Sequence, residues 1–208
     1  WRSEQPVLDV RLLKNPVMAG ATAIMALQNF AMYGLIFQLP AFFEHFRGTP
    51  PRAVGYSLFT MMIGMVLASP VGGRLTDRLG ARTAGLIGAA VLVLGSLALC
   101  RLESFAAPTD AMAFLVVFGL GMGLSSAPAQ SSAMAAVAPS RAGTAAGLSS
   151  TMRYLGGMAT IAAQAAVLGG DATVTEANNL LMVELYAAAA LLSLGASLLL
   201  PRRSTQKA

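Results

Sequence analysis

The sequence predicts an all-α integral membrane protein, one bundle of six membrane-crossing helices, and three observations carry that prediction. Hydrophobic residues make up 56% of the 208 and charged residues only 11%. A water-soluble domain carries about 25% charged residues and could not cover its surface with so few. Mean hydropathy is +0.66. The apolar residues also gather into six segments, each near the roughly 20 residues that a helix needs to cross the hydrocarbon.

The segments, in chain order, are residues 17–40, 54–71, 83–99, 111–129, 144–168 and 180–200. They define a bundle over 16–201, with a lead-in at 1–15 and a tail at 202–208. The first carries Gln28 and Asn29 near its middle. The second runs into the charged segment 73–82, Gly-Arg-Leu-Thr-Asp-Arg-Leu-Gly-Ala-Arg, read here as a short loop that turns the chain at the membrane surface. The third is the shortest, and Leu102 extends it if needed. In the fourth, Gly119, Gly121 and Gly123 thin one side for close helix packing. The fifth opens on Gly143-Thr-Ala-Ala-Gly147 and contains Arg153, the one basic residue inside a span. The sixth contains Glu184 about one turn from its outer end. Pro40, Pro70 and Pro128 fall near span ends or in a Gly/Ser-rich stretch, where they kink or end helices. Long segments rich in Ala, Leu, Met and Gly, without period-two alternation, argue against a β-barrel.

Basic residues set the topology. With the N-terminus inside, Arg2, Arg11, Lys14, Arg74, Arg78, Arg82, Arg141, Arg202, Arg203 and Lys207 lie on the cytoplasmic side. Only Arg47, Arg52 and Arg101 lie opposite. That excess predicts a multi-pass protein of the cell membrane with both termini cytoplasmic. Glu44, Glu103, Asp110, Asp171 and Glu176 then line the outer connections. The net charge of +5 is spread over short connections and forms no stripe, which argues against nucleic-acid binding. Cys100 is the single cysteine and His45 the single histidine, so neither an internal disulfide nor a metal site is expected. No HExxH, GxSxG or phosphate-binding loop occurs, and no catalytic site or cofactor is expected. Trp1 stands where an initiator methionine would, so the chain is expected to be part of something longer or a half-size protein that pairs. The first 15 residues are polar and mixed in charge and are not expected to form a signal peptide.

Segment 73–82 resembles the loop signature of the major facilitator superfamily, G-x-L-x-D-R-x-G-[RK]-[RK]. Gly73, Leu75, Asp77, Arg78, Gly80 and Arg82 fall on its positions, and Ala81 replaces one basic residue. The resemblance implies a conformational latch at Gly73, Asp77, Arg78, Gly80 and Arg82, closing one state on the cytoplasmic side. Three further stretches are similar to the last six helices of the fourteen-span drug:proton antiporters. They are residues 6–15 (Pro-Val-Leu-Asp-Val-Arg-Leu-Leu-Lys-Asn), the glycine-rich 119–128, and 143–157 with Met152-Arg-Tyr-Leu-Gly-Gly. The resemblance therefore implies the C-terminal six-helix half of a transporter, with the other six or eight helices as its partner. It further implies proton-coupled export of drugs or other hydrophobic or cationic compounds by alternating access. Two other readings stay open: a superfamily carrier for an organic acid or sugar, and a self-associating membrane scaffold that transports nothing.

Four residues are candidates for the substrate or proton pathway: Arg153, Gln28, Asn29 and Glu184. A charge some 15 Å along a spanning helix is costly unless it faces protein or a watery cavity. Arg153 therefore either faces such a cavity or snorkels to the cytoplasmic surface. Gln28 and Asn29 either meet substrate or bond between helices. Glu184 either sits at the interface or pairs with the other half. Tyr33, Tyr56, Gln130, Tyr154 and Gln164 are weaker candidates of the same kind, and the twelve methionines suit an adaptable apolar pocket.

Overall fold

The computed structural model describes residues 9–101, 105–168 and 176–202. Arg2, Leu102, Glu103, Asp171, Arg203, Lys207 and residues 6–8 of the lead-in lie outside the described residues.

Six long helices account for nearly all of it: α1 (Pro16–Arg47), α2 (Pro51–Leu79), α3 (Ala81–Leu99), α4 (Pro108–Ala135), α5 (Ala142–Leu168) and α6 (Glu176–Ser197). Short 3₁₀ turns at Val10–Lys14 and Pro139–Arg141 precede α1 and α5. The ends have local causes. Asn15 caps α1, its Oδ1 accepting the Val17 N–H at 2.9 Å with Pro16 at the first helical position. Gly48, at φ 60°, closes α1 in the left-handed conformation. At α4 the Asp110 carboxylate accepts the N–H groups of Ala106 and Ala107 at 3.0 Å each.

The helices outrun the apolar segments that foretold them. α1 has 32 residues, about 48 Å at 1.5 Å per residue, against roughly 30 Å of hydrocarbon. Hydropathy reads only the part in lipid, whereas backbone hydrogen bonding continues past it. The largest consequence concerns residues 73–82, which are not a loop. α2 runs on through Arg74, Asp77 and Arg78 to Leu79, and α3 starts at Ala81. Gly80 alone breaks the helix, at φ 87° and ψ 156°. Pro40, Pro70 and Pro128 lie inside α1, α2 and α4 and end none of them. At the C-terminal end α6 closes at Ser197, and 198–200 continue in tighter i→i−3 bonds. Among the described residues, five helices are long and apolar enough to cross a membrane on composition alone. α5 is long enough at 27 residues but carries Arg153, Gln164 and several hydroxyls.

Packing follows a repeat. α4 lies against α2 and α3, α1 lies against α5 and α6, α1 meets α4, and α3 meets α6. Shifting every helix by three exchanges the first two sets and maps the last two onto themselves. Because three is odd, the shift also inverts direction, which is the pattern of an inverted-topology repeat. Glycines make the close contacts. A Cβ on Gly64 would stand 2.7 Å from the Val116 carbonyl oxygen, and one on Gly119 or Gly123 would fall on the carbonyls of Met61 and Met65. Gly121 faces the other way, against Leu92 of α3. The α4 glycines therefore thin two sides, not one, and let α4 wedge between its neighbours. Gly143 does not do the same for α5, being exposed with open space around it. Gly156 and Gly157 make that contact instead, against Ala26 and Tyr33 of α1.

One end of the bundle gathers the N-terminal turn, Gly80, the α4–α5 connection and the chain after α6. Asn15 donates to the Ala136 carbonyl at 3.3 Å, and the Arg82 N–H donates to that of Pro201 at 3.2 Å. Beneath them Met18, Ile24, Ala133, Leu148 and Leu200 form a buried cluster. A larger core, with Phe42, Phe43, Phe118 and Tyr186, fills the other end.

Candidate functional site

Between α1, α2, α4 and α5 lies a cavity of about 700 Å³, within the range of small-molecule sites. α1 lines it with Met25, Gln28, Asn29 and Met32, a single helix face at i, i+3, i+4 and i+7. α2 adds Met65, Val66, Ser69 and Pro70, α4 adds Met122, Ser126, Ala127 and Gln130, and α5 adds Arg153. α3 and α6 contribute none of the described lining. The lining helices α1, α2, α4 and α5 exchange with one another under the same shift by three, which puts the cavity on the pseudo-dyad.

Arg153 lines the cavity as an exposed side chain. Its Nη2 donates to Gln130 Oε1 at 3.0 Å and lies 3.9 Å from the Met25 sulfur. Gln130, a weak candidate from sequence, is thus what aims the guanidinium. Gln28 and Asn29 also line the cavity, but their amides are engaged. Gln28 donates to Ser125 Oγ at 2.6 Å, and Ser125 in turn donates to the Gly121 carbonyl at 2.6 Å. Asn29 donates to the Met25 carbonyl of its own helix at 2.9 Å. The four methionines of the lining make its wall polarisable and adjustable.

Glu184 does not join these residues. It is exposed on α6, the wrong helix to reach the cavity, and Cys100 at the end of α3 feels its charge. Tyr56 is taken by Arg52, which donates to its hydroxyl at 3.0–3.1 Å, and Tyr33 is covered by Gly157. Tyr154 is exposed on α5. Gln164 serves a different centre, a buried polar knot that ties α5 and α6 to α1. It donates to the Gly34 carbonyl at 3.2 Å and to the Tyr186 hydroxyl at 2.9 Å, while Gln38 donates to Asn179. Gly34 belongs to this knot because a Cβ there would fall on the Tyr186 ring. His45 is exposed against Phe46, and no cluster among the described residues is suited to a metal.

The residues expected to form a latch divide. Asp77 and Arg78 are exposed on the last turn of α2, Arg82 is half-buried in the first turn of α3, and Gly80 is the joint between them. Sequence reading missed the ion pair beside them, between Arg141 and Asp9 at 2.5 Å. The Asp9 carboxyl is held below its ordinary 3.8, first by the Arg11 backbone N–H and then by Arg141. One signal was present: an aspartate beginning a helical turn is a capping residue.

Two apolar stripes border the cavity mouth. Tyr56, Phe59, Ile63, Val66 and Leu67 are exposed along α2, and Tyr154, Leu155, Met158 and Ile161 along α5. Residues 2–161 match the Major Facilitator Superfamily. The chain belongs to that superfamily. It is therefore a multi-pass membrane protein of a transporter family, as its helices imply. Among similar superfamily proteins is Multidrug resistance protein Stp of Mycobacterium tuberculosis, 33% identical over 158 residues, covering 74% of this chain and 29% of that protein. The Methylenomycin A resistance protein of Streptomyces coelicolor is 29% identical over 170 residues, covering 80% and 35%. Riboflavin transporter RibZ of Clostridioides difficile is 28% identical over 152 residues, covering 73% and 33%. The chain spans about a third of the length of these curated relatives.

Proposed function

We propose that this chain is the C-terminal six-helix half of a proton-coupled exporter of drugs or similar hydrophobic compounds, working by alternating access. The observation that carries the reading is the cavity on the pseudo-dyad, open between two exposed apolar stripes on α2 and α5. Such a face needs a second bundle. With one seated across it, the stripes become the contact surfaces and the cavity the midplane substrate site. That second bundle is the remainder of the same transporter. Relatives that are resistance proteins, and that are more than twice as long as this chain, support both points.

Both termini lie in the cytoplasm in this reading. The end that gathers Arg11, Lys14, Arg74, Arg78, Arg82, Arg141 and Arg202 is the positive one, and such an end stays inside. The Gly73–Arg82 segment works there as a latch, with Gly80 as its joint and Asp77 and the arginines making charge-assisted bonds to the other half. This half supplies one wall of the substrate site through Arg153, Gln28 and Asn29. Its described cavity lining contains no carboxylate, so the proton-carrying acids belong to the remainder.

The test is export from cells making the intact gene product that contains these 208 residues. A panel of neutral, cationic and anionic hydrophobic dyes is loaded, and efflux is followed before and after nigericin collapses the pH gradient. The expected result is efflux of at least one dye that stops with the gradient. Efflux that survives the collapse removes proton coupling, and no efflux of any dye removes the export reading.

A further inference from the structure

The cavity's charge narrows what it takes. Among the described lining residues Arg153 carries the sole formal charge, and it is positive. Its guanidinium has five N–H donors in a planar fork. Nη2 meets Gln130 and the Met25 sulfur, and the donors at Nη1 and Nε meet no acceptor among the described residues. Arg153 is exposed to the cavity, and one neutral amide oxygen leaves its charge uncompensated. Gln130 fixes the fork's direction without neutralising it. Around it the wall is apolar and adaptable, with Met32, Met65 and Met122 in the same lining. A cationic compound finds no carboxylate in this lining and is repelled by Arg153. An apolar compound with a planar oxyanion fits both: its body lies on the methionines and its two oxygens meet the free edge of the fork.

We infer that Arg153 is the anion-binding pole of this cavity, and that the compound carried is a hydrophobic body bearing one carboxylate or similarly delocalised oxyanion. The inference rests on the cavity being the substrate site of the proposed exporter. Gln130 is its positioning residue. The experiment uses the purified intact gene product in nanodiscs, with 1-naphthoate, 1-naphthamide and 1-naphthylmethylammonium as probes of one shape and three charges. Equilibrium dialysis is expected to show naphthoate binding about tenfold tighter than the amide, with the ammonium weakest. Arg153→Gln brings naphthoate down to the level of the amide, and Arg153→Lys keeps part of the preference. Gln130→Leu weakens naphthoate selectively because the fork loses its aim. Equal affinities in the unmodified protein, a preference for the ammonium, or no binding of any probe overturns the inference. So does an Arg153→Gln variant that keeps the preference, which shows the guanidinium spent on a carboxylate of the transporter itself. Binding with the expected preference but no transport in proteoliposomes overturns the exporter reading and leaves the anion site standing.

Discussion

Arg141 donates to Asp9 at 2.5 Å across 132 positions of sequence, tying the turn before α1 to the turn before α5. These two helices pack on each other and line the cavity, so the pair fixes how they enter the bundle. Asp9→Asn and Arg141→Gln are expected to raise amide exchange several-fold at residues 10–15, an exposed ion pair being weak but local. The pH sign follows from the carboxyl being held below 3.8. Its contribution is complete above that value and is lost as pH falls through the lower folded-state value. Exchange at 10–15 is therefore flat between about pH 5 and 8 once intrinsic rates are removed, and rises only in strong acid. A rise near neutrality would show that a different group governs this contact.

Close helix contacts make the glycines unequal. At Gly88 a Cβ would stand 2.5 Å from the Ser125 nitrogen and 2.8 Å from the Leu124 carbonyl carbon, both backbone atoms that cannot rotate away. Gly88→Ala gains up to about 1 kcal/mol in helix propensity and loses about 1–3 kcal/mol to overpacking, so overpacking wins. At Gly143 the same methyl meets open space, and the propensity gain stands alone. Melting in detergent should fall for Gly88→Ala and stay level or rise for Gly143→Ala. The reverse order would mean that α3 and α4 are not in backbone contact.

Gln28 bonds to Ser125, and a pair of variants separates that strut from the substrate-facing role proposed for it. Its bond to Ser125 links α1 to α4, a contact worth about 1 kcal/mol in a membrane protein. Ser125→Ala removes that bond but frees the amide into the cavity, where water or substrate can pair with it. Gln28→Leu removes both. Ser125→Ala is expected to cost less than about 1 kcal/mol and leave transport within twofold. Gln28→Leu should also raise KM for the exported compound. Equal effects on KM from both would make the amide a strut alone.

Sequence patterns differed in what they could reveal. Six helices were legible because lipid demands long apolar runs, and the charge knot at 73–82 was legible because charge is rare in this chain. Its conformation was not, because apolarity reports the lipid boundary and says nothing of where backbone hydrogen bonding stops. Arg153 was legible through its cost in a span. Its partner Gln130 was not, since one more amide among small residues carries no signal until α4 and α5 are brought side by side. Glu184 was singled out by the same rule as Arg153, yet one turn from a helix end that rule is weak. Which helix lines the cavity follows from the inverted repeat, and that repeat is written in pairings, not in residue types.

The two glycines of the latch segment, alike in the sequence signature, differ in what they do. Gly80 joins α2 to α3 at φ 87° and ψ 156°, a region that only glycine occupies comfortably. Gly80→Ala is expected to cost about 1–3 kcal/mol and to lower the melting temperature whatever the partner half does. Gly73 is ordinary helix, and a methyl added there would find nothing within 4 Å, so stability gives no reason for it. Its position does: it lies about two helical turns from Val66 and four from Phe59, on the α2 face left exposed beside the cavity. If the second bundle closes there, Gly73→Ala keeps its melting temperature and loses transport, because the added methyl blocks approach of the other helix. Melting and flux measured together separate the two glycines, and a Gly73→Ala protein that transports normally would place the closing contact elsewhere on α2.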